Sequence, residues 1–211
     1  MMVQMFTVGK FFTNCYVVAC EKTREAIIID PGFDNRIDAE KIFEFTKANA
    51  LTLRLIVNTH GHPDHTCGNN MVKKIFNAPI LIHECDAGML GEIGKRNAEF
   101  FGLESFSPPA DMLLHDGDTI KFGRITLKVL QTPGHSPGGI SLLGQKEVFT
   151  GDTLFAGSIG RTDFPESSDH DMMISLRKKL ATLPDYFIVY PGHGPATTIG
   201  EEKRSNPFLQ W

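Results

Sequence analysis

About a quarter of the way along the chain, His60-Gly61-His62-Pro63-Asp64-His65 packs four metal-binding side chains into six residues. Neither core packing nor solubility asks for imidazole and carboxylate at that density, so the run reads as a metal site, and as a two-metal one. The preceding Leu53-Arg54-Leu55-Ile56-Val57-Asn58 is short, apolar and rich in branched residues, the pattern of a buried strand. The ligands therefore occupy the loop at that strand's C-terminal end.

The flanking pattern alternates strands and helices. Asn14–Cys20 and Ala26–Asp30, separated by the charged turn Glu21-Lys22-Thr23-Arg24, read as a hairpin, with an earlier short strand at Met5–Val8. From Asp34, a suitable N-cap, the positions Ile37, Ile42, Phe43 and Phe45 recur at helical spacing through Ala48. A second helix is expected near Asn69–Phe76, then a strand over Pro79–His83. Glycines and the Pro108-Pro109 pair break residues 86–110 into short helical pieces, read as a covering segment. Sheet resumes at Ile120–Leu130, Ile140–Leu143 and Glu147–Thr150. A helix follows between Asp169 and Pro184, and a buried strand at Phe187–Tyr190 closes the pattern. Such alternation predicts a layered α/β core, taken as one domain over residues 1–211.

Composition narrows the function classes. A chain of 211 residues with 41% apolar and 22% charged residues and a formal charge of -4 has the profile of a soluble globular protein, and the acidic balance disfavours nucleic acid as a partner. No apolar stretch approaches the roughly 20 residues a membrane helix needs, and Met1–Lys10 lacks the layout of a signal peptide. A cytoplasmic place is expected, with no membrane partner. Cys15, Cys20, Cys67 and Cys85 show neither metal-type spacing nor disulfide density and read as reduced, mostly buried thiols.

Further candidate ligands stand at other strand ends. His135 lies in Pro133-Gly134-His135-Ser136-Pro137, His193 in its echo Pro191-Gly192-His193-Gly194-Pro195, and Asp152 in Phe149-Thr150-Gly151-Asp152-Thr153. A single loop histidine is usually a surface or core residue. Explaining all seven candidates that way requires several coincidences. Imidazole with carboxylate suits zinc foremost, and also iron or manganese.

The order T-H60-x-H62-x-D64-H65, G-H135, G-D152, G-H193 resembles the signature of the metallo-β-lactamase superfamily. Asp30-Pro31-Gly32, Thr132–Gly138, Gly160-Arg161-Thr162-Asp163 and Asn206-Pro207-Phe208-Leu209 further resemble its short glyoxalase II-like (hydroxyacylglutathione hydrolase-like) members. The resemblance implies a four-layer αβ/βα sandwich with two divalent metal ions at one edge. It places the first metal on His60, His62 and His135 and the second on Asp64, His65 and His193, with Asp152 bridging. A hydroxide held between such ions is a nucleophile at neutral pH, which implies hydrolysis of an ester or thioester. Asp64 would orient it or shuttle a proton. The implied substrate is S-D-lactoylglutathione or a related hydroxyacyl thioester. The alternative within the superfamily is a mononuclear iron persulfide dioxygenase, with His60, His135 and Asp152 holding iron.

Other residues carry two readings each. Asp30 is a turn cap before Pro31-Gly32 or, as the resemblance implies, supports the metal loop from behind. Arg161 binds a substrate carboxylate or pairs with Asp163. His83, ending a strand near the site, supports it from behind or is a satisfied core histidine, the reading preferred; Cys67 reads as structural, His115 as turn chemistry and His170 as a helix start. Phe11, Phe12 and Phe155 stand beside loops that could line a cleft.

Overall fold

The computed structural model describes residues 1–210. Its first sheet runs in the spatial order β1 (Met2–Val8), β2 (Thr13–Ala19), β3 (Glu25–Ile29), β4 (Thr52–Val57), β5 (Ile80–His83) and β6 (Met112–Leu114). The first three strands pair antiparallel, and β3 to β6 run parallel. β2 is buried along its whole length, because both of its faces are covered. Cys15, Val17 and Ala19 face one apolar cluster together with Ala39, Ile42 and Val72 of the helical layer. Tyr16 and Val18 face a second cluster, shared with the other sheet. This is period-two alternation with apolar residues on both sides, as a strand between two packed layers requires.

The second sheet contains β7 (Thr119–Phe122), β8 (Ile125–Gln131), β9 (Ile140–Leu143) and β10 (Glu147–Gly151). A small separate hairpin, β11 (Leu154–Phe155) with β12 (Ser158–Ile159), precedes β13 (Ile188–Pro191) and β14 (Thr197–Thr198), giving the order β14-β13-β10-β9-β8-β7. Ile120, Phe122, Leu127, Val129, Ile140, Leu142 and Phe149 supply its half of the inter-sheet core. Its outer face, through Val148 and Val189, packs on Met172, Leu176 and Leu180.

The helices are α1 (Arg36–Ala48), α2 (Pro63–Thr66), α3 (Asn69–Phe76), α4 (Glu84–Ala87), α5 (Gly91–Phe100), α6 (Asp169–Ser175, continued by a π-helical turn over Leu176–Leu180) and α7 (Ile199–Ser205). Three apolar clusters separating helix, sheet, sheet and helix make the expected four-layer αβ/βα sandwich. Among the described residues no helix is long and apolar enough to cross a membrane.

Some local readings shift. The cap of α1 is Asn35, whose side chain accepts from Asp38 N, while Asp34 instead accepts from the Glu104 amide in the covering segment. Ile37 is exposed, and Ala39, Ile42 and Thr46 form the buried face. The covering segment holds a ten-residue helix, α5, despite an internal glycine. A Cβ at Gly94 would stand 2.7 Å from the Met89 carbonyl oxygen, so close packing sets that glycine. Chain beyond Tyr190 adds the edge strand β14 and α7 to the expected closing strand.

Candidate metal centre

Every candidate ligand sits at or just beyond the C-terminal end of a strand. His60 and His62 follow β4, and Asp64 and His65 ride on α2, which Pro63 opens at its first turn. His135, Asp152 and His193 follow β8, β10 and β13 of the other sheet. The donor atoms of His60, His62 and His135 lie within 4.8 Å of one another, as do those of Asp64, His65 and His193. His62 Nδ1 is 2.8 Å from His135 Nε2, and His65 Nε2 is 3.2 Å from His193 Nε2. Asp152 stands between the triads, its Oδ2 3.5 Å from Nε2 of both His135 and His193 and its Oδ1 3.4 Å from His65 Nε2.

Two buried side-chain atoms among the described residues have no hydrogen-bond partner, His60 Nε2 and Asp152 Oδ1. An unmatched buried polar atom costs about 1–3 kcal/mol. Both are resolved at once by a cation accepting lone pairs from the ring and the carboxylate. The donor set therefore fits divalent ions of the zinc, iron or manganese type.

Asp30, His60 and His65 also gather within 4.8 Å. Asp30, however, already accepts from Thr59 N at 2.7 Å and Thr59 Oγ1 at 2.6 Å, and its Oδ2 lies 3.1 Å from His65 Nδ1. It touches the far side of the His65 ring and the neighbouring loop backbone, the position of a group that would steady such a ring from behind.

The triads differ electrostatically. Burial pushes the His60 imidazole well below its ordinary pKa, and the surrounding histidines push the same way. Burial likewise lowers His135, against the opposing pull of Asp152. For His65 burial alone would lower the pKa, but Asp152, Asp64 and Asp30 outweigh it and raise it to about 10. Burial would raise Asp64, yet His65 and His193 hold its carboxyl well below the usual range. In the metal-free protein, then, the carboxylates around the second triad favour the protonated form of His65.

The loops are fixed by groups from distant elements. Asn14 Nδ2 donates to the carbonyls of Pro191 at 3.0 Å and Gly194 at 2.7 Å, and Tyr16 OH donates to Pro191 at 2.6 Å, holding the His193 loop on β2. Gly192 lies against the centre: a Cβ there would overlap Asp152 Oδ1 and stand 2.8 Å from the His65 ring. Sequence reasoning missed Asp86. Its fully buried carboxylate accepts from Gly61 N at 2.9 Å, Ser136 Oγ at 2.7 Å and Gly138 N at 2.6 Å, tying the first ligand loop to the His135 loop. Its one sequence signal is an acidic residue just past a strand end, within a stretch read as irregular.

The remaining candidates fall as follows. Arg161 engages Asp163 through Nε at 2.6 Å and Nη2 at 2.8 Å, and its guanidinium lies 4.2 Å from the Phe164 ring centroid. Its carbonyl oxygen is 2.8 Å from His135 Nδ1. The Phe155 ring is 6.0 Å from that of His193, while Phe12 is exposed beside Thr13, whose hydroxyl donates to Asp64 at 3.3 Å. Phe11 is exposed, set edge-on to Phe101. Cys67 is buried with Ala98 and Leu103, His83 caps α4, His115 joins a turn with Asp118, and His170 opens α6. All four cysteines are free, and Cys85 is the exposed one.

Comparison with known proteins agrees with this geometry. Residues 8–193 match the family model of the metallo-beta-lactamase superfamily. The chain is 36% identical to hydroxyacylglutathione hydrolase GloC of Haemophilus influenzae, over 99% of this chain and 98% of that protein. Among solved structures it is similar to BLEG-1, a B3 metallo-beta-lactamase, with 36% identity, TM-score 0.91 and full coverage of both chains. It is also similar to TTHA1623 in a di-iron-bound form, with 34% identity, TM-score 0.86 and coverage of 98% of this chain and 100% of that one. Fold, converging ligands and these likenesses agree: the chain belongs to the metallo-beta-lactamase superfamily.

Proposed function

We propose that this protein is a metal-dependent thioesterase, acting on S-D-lactoylglutathione or a related hydroxyacyl thioester. The observation that carries the reading is Asp152, set within 3.5 Å of ligands in both triads. In this reading His60, His62 and His135 hold one ion, Asp64, His65 and His193 the other, and Asp152 joins them. Bound ions of this kind lower the pKa of water to about 7 and polarise a carbonyl, which is the chemistry of acyl hydrolysis. Zinc is the leading candidate. TTHA1623, with its di-iron form, supports iron as a second choice.

The chain's own residues favour a thioester. Asp64, held ionised by its histidine neighbours, can orient a nucleophile but has no proton to give a leaving group at neutral pH. A thiolate leaves without an acid's help, because a thiol's own pKa is about 8.5. Arg161 spends Nε and Nη2 on Asp163, and its Nη1 edge is the part offered to a substrate carboxylate. The likeness to GloC supports a glutathione conjugate, and the free cysteines suit a cytoplasmic place.

The second reading, a mononuclear iron persulfide dioxygenase, is favoured by one arrangement. Asp152 Oδ2 lies 3.5 Å from His135 Nε2, and His60 Nε2 is unpartnered beside them, a two-histidine, one-carboxylate set. Against it, the second triad is gathered as closely as the first.

Hydrolysis of S-D-lactoylglutathione by the zinc-loaded protein, beside an Asp152→Ala control, is the test. Turnover that vanishes in the control supports the thioesterase. Sulfite formation from glutathione persulfide by an iron-loaded sample with no thioesterase activity overturns it. A cephalosporin run in parallel checks the activity named for BLEG-1.

A further inference from the structure

Glu166 belongs to no motif of the chain, yet it reaches the outward nitrogen of a candidate ligand. His62 turns Nδ1 toward His135 Nε2, 2.8 Å away, and Nε2 toward Glu166 Oε1, 3.2 Å away. A neutral imidazole has one lone pair and one N–H. If Nδ1 serves the site, the proton resides on Nε2, the nitrogen that the carboxylate faces. Glu166 thus favours the tautomer a ligand needs and makes the ring a stronger donor.

The surrounding segment repeats this function on the same triad. Arg161 O accepts from His135 Nδ1 at 2.8 Å, Ser167 Oγ donates to the His135 carbonyl at 2.7 Å, and Ser168 N donates to the Gly134 carbonyl at 2.8 Å. The Phe164 ring lies 5.1 Å from that of His62 and 5.8 Å from that of His135. One short stretch, 161–168, therefore braces two of the three histidines of the first triad. The second triad has a counterpart in Asp30 behind His65, but there the carboxylate side chain is 2% exposed, against 38% for Glu166.

We propose that Glu166 is a positioning residue for the His60/His62/His135 ion, fixing the His62 tautomer and setting that site's affinity separately from the other site. The proposal rests on the two-metal reading above.

The test is zinc binding by competition with a chromophoric chelator, on wild type, Glu166→Gln and Glu166→Ala, with ring-nitrogen NMR of the zinc-loaded proteins. Wild type is expected to bind two ions. In Glu166→Ala one ion weakens about tenfold or more while the other changes less than about twofold. Glu166→Gln, which keeps a neutral acceptor, falls between. The His62 Nε2–H signal, present in wild type, moves upfield in Glu166→Ala, a change that mere loosening of a loop does not produce. Thermal unfolding of the metal-free variants confirms that they fold. Two ions bound with unchanged affinity in both variants, or a His62 protonated at Nδ1, overturns the proposal alone. A wild-type chain that binds no zinc overturns the two-metal reading and this proposal together.

Discussion

Asp30 Oδ2 sits 3.1 Å from His65 Nδ1, at the back of a ring whose Nε2 faces Asp152 and Asp64. The pair is buried, and the same carboxylate holds the backbone and hydroxyl of Thr59, the residue before the first ligand. Asp30→Asn leaves one buried donor unmatched. It is expected to lower stability by about 1–3 kcal/mol in urea unfolding, and to weaken zinc at the second triad by about 10–100-fold. Unchanged zinc affinity would remove Asp30 from its supporting role.

The raised pKa of His65 gives the metal-free protein a signed pH dependence. The folded value is about 10, against an ordinary 6.5. The stabilising contribution is therefore complete below about pH 6.5 and is lost as pH rises through about 10. With chelator present, the stability gap between wild type and His65→Gln should be widest near pH 6 and close toward pH 10. Zinc binding at pH 8 should also release this proton, measurable in weakly buffered solution. A gap that widens with pH would reverse the assignment.

Gly192→Ala inserts a methyl group where Asp152 and the His65 ring already stand. Overpacking of this kind costs about 1–3 kcal/mol, and a misplacement near 1 Å at a reacting centre costs about 100-fold in rate. Turnover should fall far more than thermal stability. Full activity in a folded variant would show that the loop yields.

Asp86→Ala strands three donors, Gly61 N, Ser136 Oγ and Gly138 N. An expected loss of about 3 kcal/mol follows, at the order of one buried donor's full penalty after partial relaxation. Ser136→Ala removes one donor together with its demand and should cost about 1 kcal/mol or less. Equal losses in the two variants would contradict the tying role of the carboxylate.

The strands before the ligand loops were legible as short runs rich in branched and aromatic residues: β4 and β10 fall within a residue or two of where the pattern puts them. The convergence of His60, His62, Asp64, His65, His135, Asp152 and His193 was legible because imidazoles on glycine-flanked loops have few other uses. Glu166 and Asp86 were not, since an isolated carboxylate in a polar stretch looks like solvated surface until tertiary structure brings a ring or an amide to it. Ile37 misled for the opposite reason: its spacing is helical, but α1 turns Ala39 and Ile42 inward and leaves Ile37 exposed. Edge strands β6 and β14, three and two residues long, are too short to leave a periodic trace.

Residues 60–65 come from one sheet and His135, Asp152 and His193 from the other, with His65 and His193 separated by 128 positions in the chain. Because its side chains come from both sheets, the cluster owes its geometry to the docking of one sheet on the other. An ion held by side chains from both sheets would act as a clasp across the seam of the sandwich. Its loss should speed hydrogen exchange at the Gly61 and Gly192 amides and leave the inter-sheet core around Phe149 protected.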